Sequence, residues 1–88
     1  MKVIITKQFD KDVDKELSKA MKLKLADIIE KLQKTTALYS INDMKKLKGY
    51  KTAYRIKMGD YRIGFIFEEN TIKLSRILNR KKIYRYFP

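Results

Sequence analysis

TAYRIKMGDYRIGFIFEENTIKLSRILN, residues Thr52–Asn79, decides the fold of this chain. Over Thr52–Met58 the side chains alternate, with Tyr54, Ile56 and Met58 on one face and Arg55 and Lys57 on the other. That is the period of a strand with one buried face. Gly59-Asp60 supplies a turn. Tyr61–Glu68 then alternates again, placing Tyr61, Ile63, Phe65 and Phe67 on one face and Arg62, Gly64 and Ile66 on the other. Glu69-Asn70 makes a second turn, and Thr71–Asn79 is a third strand. In it Ile72 and Leu74 keep phase and Arg76 breaks it, which a bulge near Ser75 would explain.

A three-stranded meander needs a cover for its apolar face, and the residues before it supply one. Apolar residues fall at Phe9, Val13, Leu17, Ala20 and Met21, then at Leu25, Ile28, Ile29 and Leu32, which is helical spacing. Ser18 can cap a second helix, so two helices are expected, roughly 8 to 17 and 20 to 34; one long helix is the other reading of the same spacing. Lys2–Thr6 is a short apolar, β-branched strand with little alternation, expected inside the sheet. Thr35–Met44, rich in Thr, Ser, Asn and Asp, reads as the loop from helices to sheet. The expectation is one α+β domain over residues 1–88 in the order strand, two helices, three strands. A helical hairpin packs on one face of a small, mainly antiparallel sheet, and the opposite face is left exposed.

Composition narrows the chemistry. With no Cys and no His, a disulfide framework, a thiolate zinc site and the usual neutral-pH base are all missing, and neither a metal nor another cofactor is expected. Hydrophobic residues make up 44% of the chain, with three Gly and one Pro, enough for a core and too little flexible sequence for a linker. The N-terminal apolar run is too short for a signal peptide or a membrane span, so a cytoplasmic protein with no membrane partner is expected.

The net charge is +12, and it is unevenly placed. Residues 1–44 carry nine Lys and no Arg against seven acids; residues 45–88 carry eight Lys and five Arg against three. In the first half the mixture is that of an ordinary solvated surface. In the second it points to a polyanion, because the planar guanidinium suits phosphate geometry. Strand phase gathers Arg55, Lys57 and Arg62 on the exposed face, where like charges on neighbouring strands cost about 0.2–1 kcal/mol per pair. An anionic ligand explains that arrangement better than stability does.

Residues Lys45–Phe87 resemble the RelE/ParE superfamily of bacterial toxins of type II toxin–antitoxin systems, in its RelE-like mRNA interferase branch. The resemblance rests on Leu47-Lys48-Gly49, Tyr54-Arg55-Ile56-Lys57, Gly59-Asp60-Tyr61-Arg62, the acidic Glu68-Glu69 turn and Arg80-Lys81-Lys82-Ile83-Tyr84. It implies a metal-independent endoribonuclease that cuts mRNA, as many relatives do only on the ribosome and others free of it, and that is held inactive by an acidic antitoxin. ParE-like members share the scaffold but inhibit DNA gyrase, which is the alternative the resemblance leaves open. Carried over by position, Arg55, Lys57, Arg62, Arg80 and Tyr84 form the catalytic set, while Lys48, Lys51, Arg76, Lys81, Lys82 and Arg85 extend it for RNA binding. The chain departs from many relatives in having Asn79 where they carry His or a further basic residue.

RNA brings its own nucleophile, the 2′-OH beside the scissile phosphate, so side chains have only to orient it, move two protons and neutralise the developing charge. Arg55 and Arg62 suit the clamp; Tyr84 or Lys57 suits the base, and Arg80 or Lys57 the leaving group. A free Tyr or Lys has a pKa of about 10, so either needs neighbouring cations to act as a base near neutrality. Tyr84, Tyr86 and Phe87 form an aromatic tail that either contacts RNA or pins itself to the sheet. Gly49, Gly59 and Gly64 serve turns or close packing.

Overall fold

The computed structural model describes residues 1–88. Strand β1 (Lys2–Ile5) leads into helices α1 (Lys7–Glu16) and α2 (Lys19–Lys34). A short 3-10 turn (Leu38–Ser40) precedes β2 (Met44–Lys46), β3 (Ala53–Met58), β4 (Tyr61–Glu68), β5 (Thr71–Asn79) and a single helical turn, α3 (Ile83–Tyr86). The five strands form one sheet in the order β1-β5-β4-β3-β2, antiparallel except for β1 beside β5. The fold is α+β, with two helices against one face of a mixed sheet.

Two helices form rather than one because each start has its own cap. The Thr6 hydroxyl accepts from the Phe9 amide and the Ser18 hydroxyl from the Met21 amide, both at 3.2 Å, satisfying donors that a helix start leaves unpaired. Thr6 also donates to the Leu74 carbonyl at 2.9 Å, fixing the start of α1 to β5. The helices cover a core of eleven buried residues that includes Phe9, Leu25, Leu32, Ile56, Ile63 and Phe65. Both hairpins close through two residues: Gly59 takes φ +59° in the first, and Glu69 and Asn70 take +49° and +56° in the second, as tight hairpin turns require.

The expected bulge is present. Gly64 pairs with Arg76 but Phe65 pairs with Leu74, so Ser75 is the extra residue on β5. The slip puts Ile77 in the main core and turns Arg76 and Leu78 to the other face. It also falls where β1 ends, since β1 pairs with β5 only from Thr71 to Leu74. Beyond that point α1 takes over the β5 edge: Asp12 accepts from the Ile77 amide at 3.1 Å and from Arg76 Nε and Nη2 at 2.8 and 3.0 Å.

Three expectations need correction. Lys2–Ile5 is not inside the sheet but at its edge, leaving Ile4 and Ile5 exposed, because its run of β-branched residues reflects strand propensity rather than burial. Residues 35–44 are not wholly loop; Met44 begins β2, a fifth strand too short for alternation to reveal. The second face of the sheet is only partly open. Ala53, Leu78, Ile83 and Phe87 form a second buried cluster there, with Leu47 and Ile66 packed against it. No helix is long and apolar enough to cross a membrane.

Candidate functional site

The part of the second face that α3 leaves uncovered is a cationic patch fixed by strand register. Lys57 pairs with Arg62 across β3 and β4, and Lys45 pairs with Arg55 across β2 and β3. Directly opposed side chains in such ladders have Cβ atoms about 4.5–5.5 Å apart, so the four cations occupy adjoining positions on three strands. Arg62 is held further: its Nη1 donates to the Gly59 and Tyr61 carbonyls at 2.8 and 2.9 Å. Those bonds use one nitrogen and leave Nε and Nη2 for an anion.

Tyr84 completes the patch. It stands on α3 with 72% of its surface exposed, and the Arg55 guanidinium lies 4.5 Å from its ring centroid. The Arg55 guanidinium beside it holds the phenol below its ordinary pKa of 10.0; partial desolvation opposes this, and Arg62 and Lys45 add to the lowering. The sheet thus brings together Arg55, Lys57, Arg62 and Tyr84 from the residues expected in catalysis.

The remaining basic residues divide by location. The Arg80 amide donates to the Asp60 carbonyl at 2.8 Å, which sets Arg80 and its exposed neighbour Lys81 at the β3–β4 turn rather than on the strand ladder. Lys48 and Lys51 are exposed on the segment between β2 and β3, and Arg85 is exposed on α3. Arg76 and Lys82 face α1, where Arg76 pairs with Asp12 at 2.8 Å beneath the Tyr86 ring and Lys82 pairs with Glu16 at 3.3 Å. Their charges are met within the chain, by carboxylates 64 and 66 residues away. Asn79 has a local structural part: its Oδ1 accepts from the Lys81 and Lys82 amides at 2.9 and 3.0 Å, bracing the turn into α3.

Lys45 escaped the sequence reading. Its signal was the Lys45-Lys46 pair just before Leu47-Lys48-Gly49, but three residues of strand show no period by which to assign a face.

Comparisons with known proteins bear on the family and the fold. The sequence model of the family described as "ParE toxin of type II toxin-antitoxin system, parDE" matches residues 3–84. Toxin RelE3 of Methanocaldococcus jannaschii is 43% identical over 89 residues, with all of both chains covered. Among solved structures, a RelB–RelE antitoxin–toxin complex from Methanococcus jannaschii matches with a TM-score of 0.82 and 40% identity, over 97% of this chain and 99% of that one. An archaeal RelE–RelB complex from Pyrococcus horikoshii matches with a TM-score of 0.71 and 26% identity, over 90% and 93% of the two chains.

Proposed function

The chain belongs to the ParE toxin family, within the RelE/ParE superfamily of toxin–antitoxin systems, and we propose that it is an endoribonuclease that cuts mRNA on the ribosome. It is a toxin of RelBE type. The observation that carries the nuclease reading is Tyr84, a phenol set on Arg55 beside a row of cations that lower its pKa.

In this reading the scissile phosphate lies between Arg55 and Arg62, whose guanidinium groups bind its oxygens more tightly as the charge of the phosphorane builds. The Tyr84 phenolate takes the proton from the 2′-OH as that oxygen forms its bond to phosphorus. The bond from phosphorus to the 5′-oxygen breaks, and the Lys57 ammonium gives the departing oxygen its proton. The products are a 2′,3′-cyclic phosphate and a 5′-OH, with no net change in protons once Tyr84 and Lys57 exchange theirs through water. Arg80 and Lys81 at the β3–β4 turn, with Lys48, Lys51 and Arg85, bind the flanking backbone as point charges.

The partner that silences the toxin is an acidic antitoxin related to RelB, as the complexes of its relatives suggest. Its negative charge complements a face that repels itself. Inducing the protein in cells while mapping mRNA 5′ ends and plasmid supercoiling tests the reading. Cut mRNA with unchanged supercoiling is expected. Intact mRNA with inhibited supercoiling would replace the nuclease with a gyrase inhibitor.

A further inference from the structure

Tyr84 has little packing of its own, so something else must hold it over Arg55. Its helix, α3, is one turn long, far below the length at which an isolated helix persists in water. Two residues tie that turn down. Ile83 and Phe87 stand four apart, hence on one side of the turn, and both are buried against Ala53 and Leu78. They flank Tyr84 in the chain.

Phe87 rests on a gap in the sheet. A Cβ built on Gly64 would lie 2.6 Å from Phe87 Cγ and Cδ2 and 2.9 Å from Cε2, closer than real side-chain carbons approach. The backbone of Gly64 is not in the left-handed region, so glycine is needed there for space and not for conformation. Gly64 is also the ladder partner of Arg55. The ring that fills the gap therefore sits across the ladder from Arg55, whose guanidinium lies on the Tyr84 ring.

We propose that Gly64 and Phe87 are positioning residues: the missing side chain at 64 is a seat for the Phe87 ring, and that seat sets Tyr84 over Arg55. The catalytic consequence rests on the nuclease reading above; the geometric one does not. Three changes in the full-length toxin separate them. Gly64→Ala leaves the strand conformation allowed but fills the seat. Phe87→Ala empties it from the other side without touching the sheet, and Gly64→Ala with Phe87→Ala removes every atom that the new Cβ would meet.

Each is read by RNA cleavage in a translating extract and by titration of the Tyr84 phenol, followed by carbon NMR at its Cζ against Tyr84→Phe. Both single variants are expected to lose about 100-fold in cleavage, the scale of a misplaced catalytic group. The loss falls on kcat more than on KM. In both, the phenol pKa rises toward its ordinary value as the contact with Arg55 is lost, and the double variant is no worse than Phe87→Ala alone, the non-additivity of a coupled pair. Single variants that remain folded with the Tyr84 titration unchanged would overturn the proposal. Should the wild-type toxin not cut RNA, the nuclease reading falls and the titration alone decides the seat.

Discussion

Tyr84→Phe is expected to slow RNA cleavage by about 100- to 10,000-fold, the range over which a positioned acid or base contributes. The substitution keeps the ring that Arg55 stacks on and removes only the oxygen that carries the proton. Because Tyr84 is 72% exposed, the melting temperature of the variant should match that of the wild type. The pH profile supplies an independent sign. A base works in its deprotonated form, so the wild-type rate rises with pH up to the pKa of Tyr84. Arg55, with help from Arg62 and Lys45, places that pKa below 10.0. Arg55→Gln removes the main cause of the lowering, and the rise should move to higher pH. A Tyr84→Phe toxin with full activity would remove the phenol from the mechanism.

Asp12→Ala carries the largest expected effect on stability, about 3–5 kcal/mol, the scale of leaving one member of a buried ion pair alone. Asp12 has 5% of its side chain exposed and Arg76 has 23%, so the pair is shielded from solvent. The carboxylate does more than pair. It also accepts from the Ile77 amide, which lies on the stretch of β5 that β1 no longer covers. Removing it would leave the guanidinium with only the Tyr86 ring beside it and the Ile77 amide without its acceptor, at the seam between α1 and the sheet. For a domain stabilised by about 5–15 kcal/mol this is a large fraction. Asp12→Asn, which keeps an acceptor of similar shape, should cost less. Urea unfolding monitored by circular dichroism measures both; an unchanged midpoint for Asp12→Ala would show that the pair adds nothing.

What the sequence made legible follows the length over which each pattern repeats. β3, β4 and β5 hold six to nine residues each, long enough for period two to assign faces, and the break at Arg76 located the bulge at Ser75. Ser18 marked the boundary between the helices because its hydroxyl can cap only one of them. β2 and α3 escaped for the same reason as each other: three and four residues do not display a period. A tail pinned to the sheet was one of two readings of Tyr84, Tyr86 and Phe87, and Phe87 alone of the three pins it; the part of Ile83 and the pairing of Phe87 with Gly64 escaped.

The site was legible to a similar depth. Phase alone grouped Arg55, Lys57 and Arg62, and the family resemblance added Tyr84, which the fold places against Arg55. Counting charge overstated the rest. Arg76 and Lys82 look like free cations in the sequence, yet each meets a carboxylate from α1 that only the tertiary fold brings near. The open part of the cationic face is correspondingly smaller than the charge of the C-terminal half suggests.

The chemistry of the RNA ends tests the central claim most directly. Attack by the 2′-OH leaves a 2′,3′-cyclic phosphate upstream of the cut and a 5′-OH downstream, whereas attack by water on the opposite side of the phosphorus leaves a 3′-OH and a 5′-phosphate. RNA recovered after induction of the wild-type toxin should carry the first pair of ends at new sites within coding sequence, and these should vanish with Tyr84→Phe. New ends bearing 5′-phosphate and 3′-OH, or no new ends at all, would contradict the account.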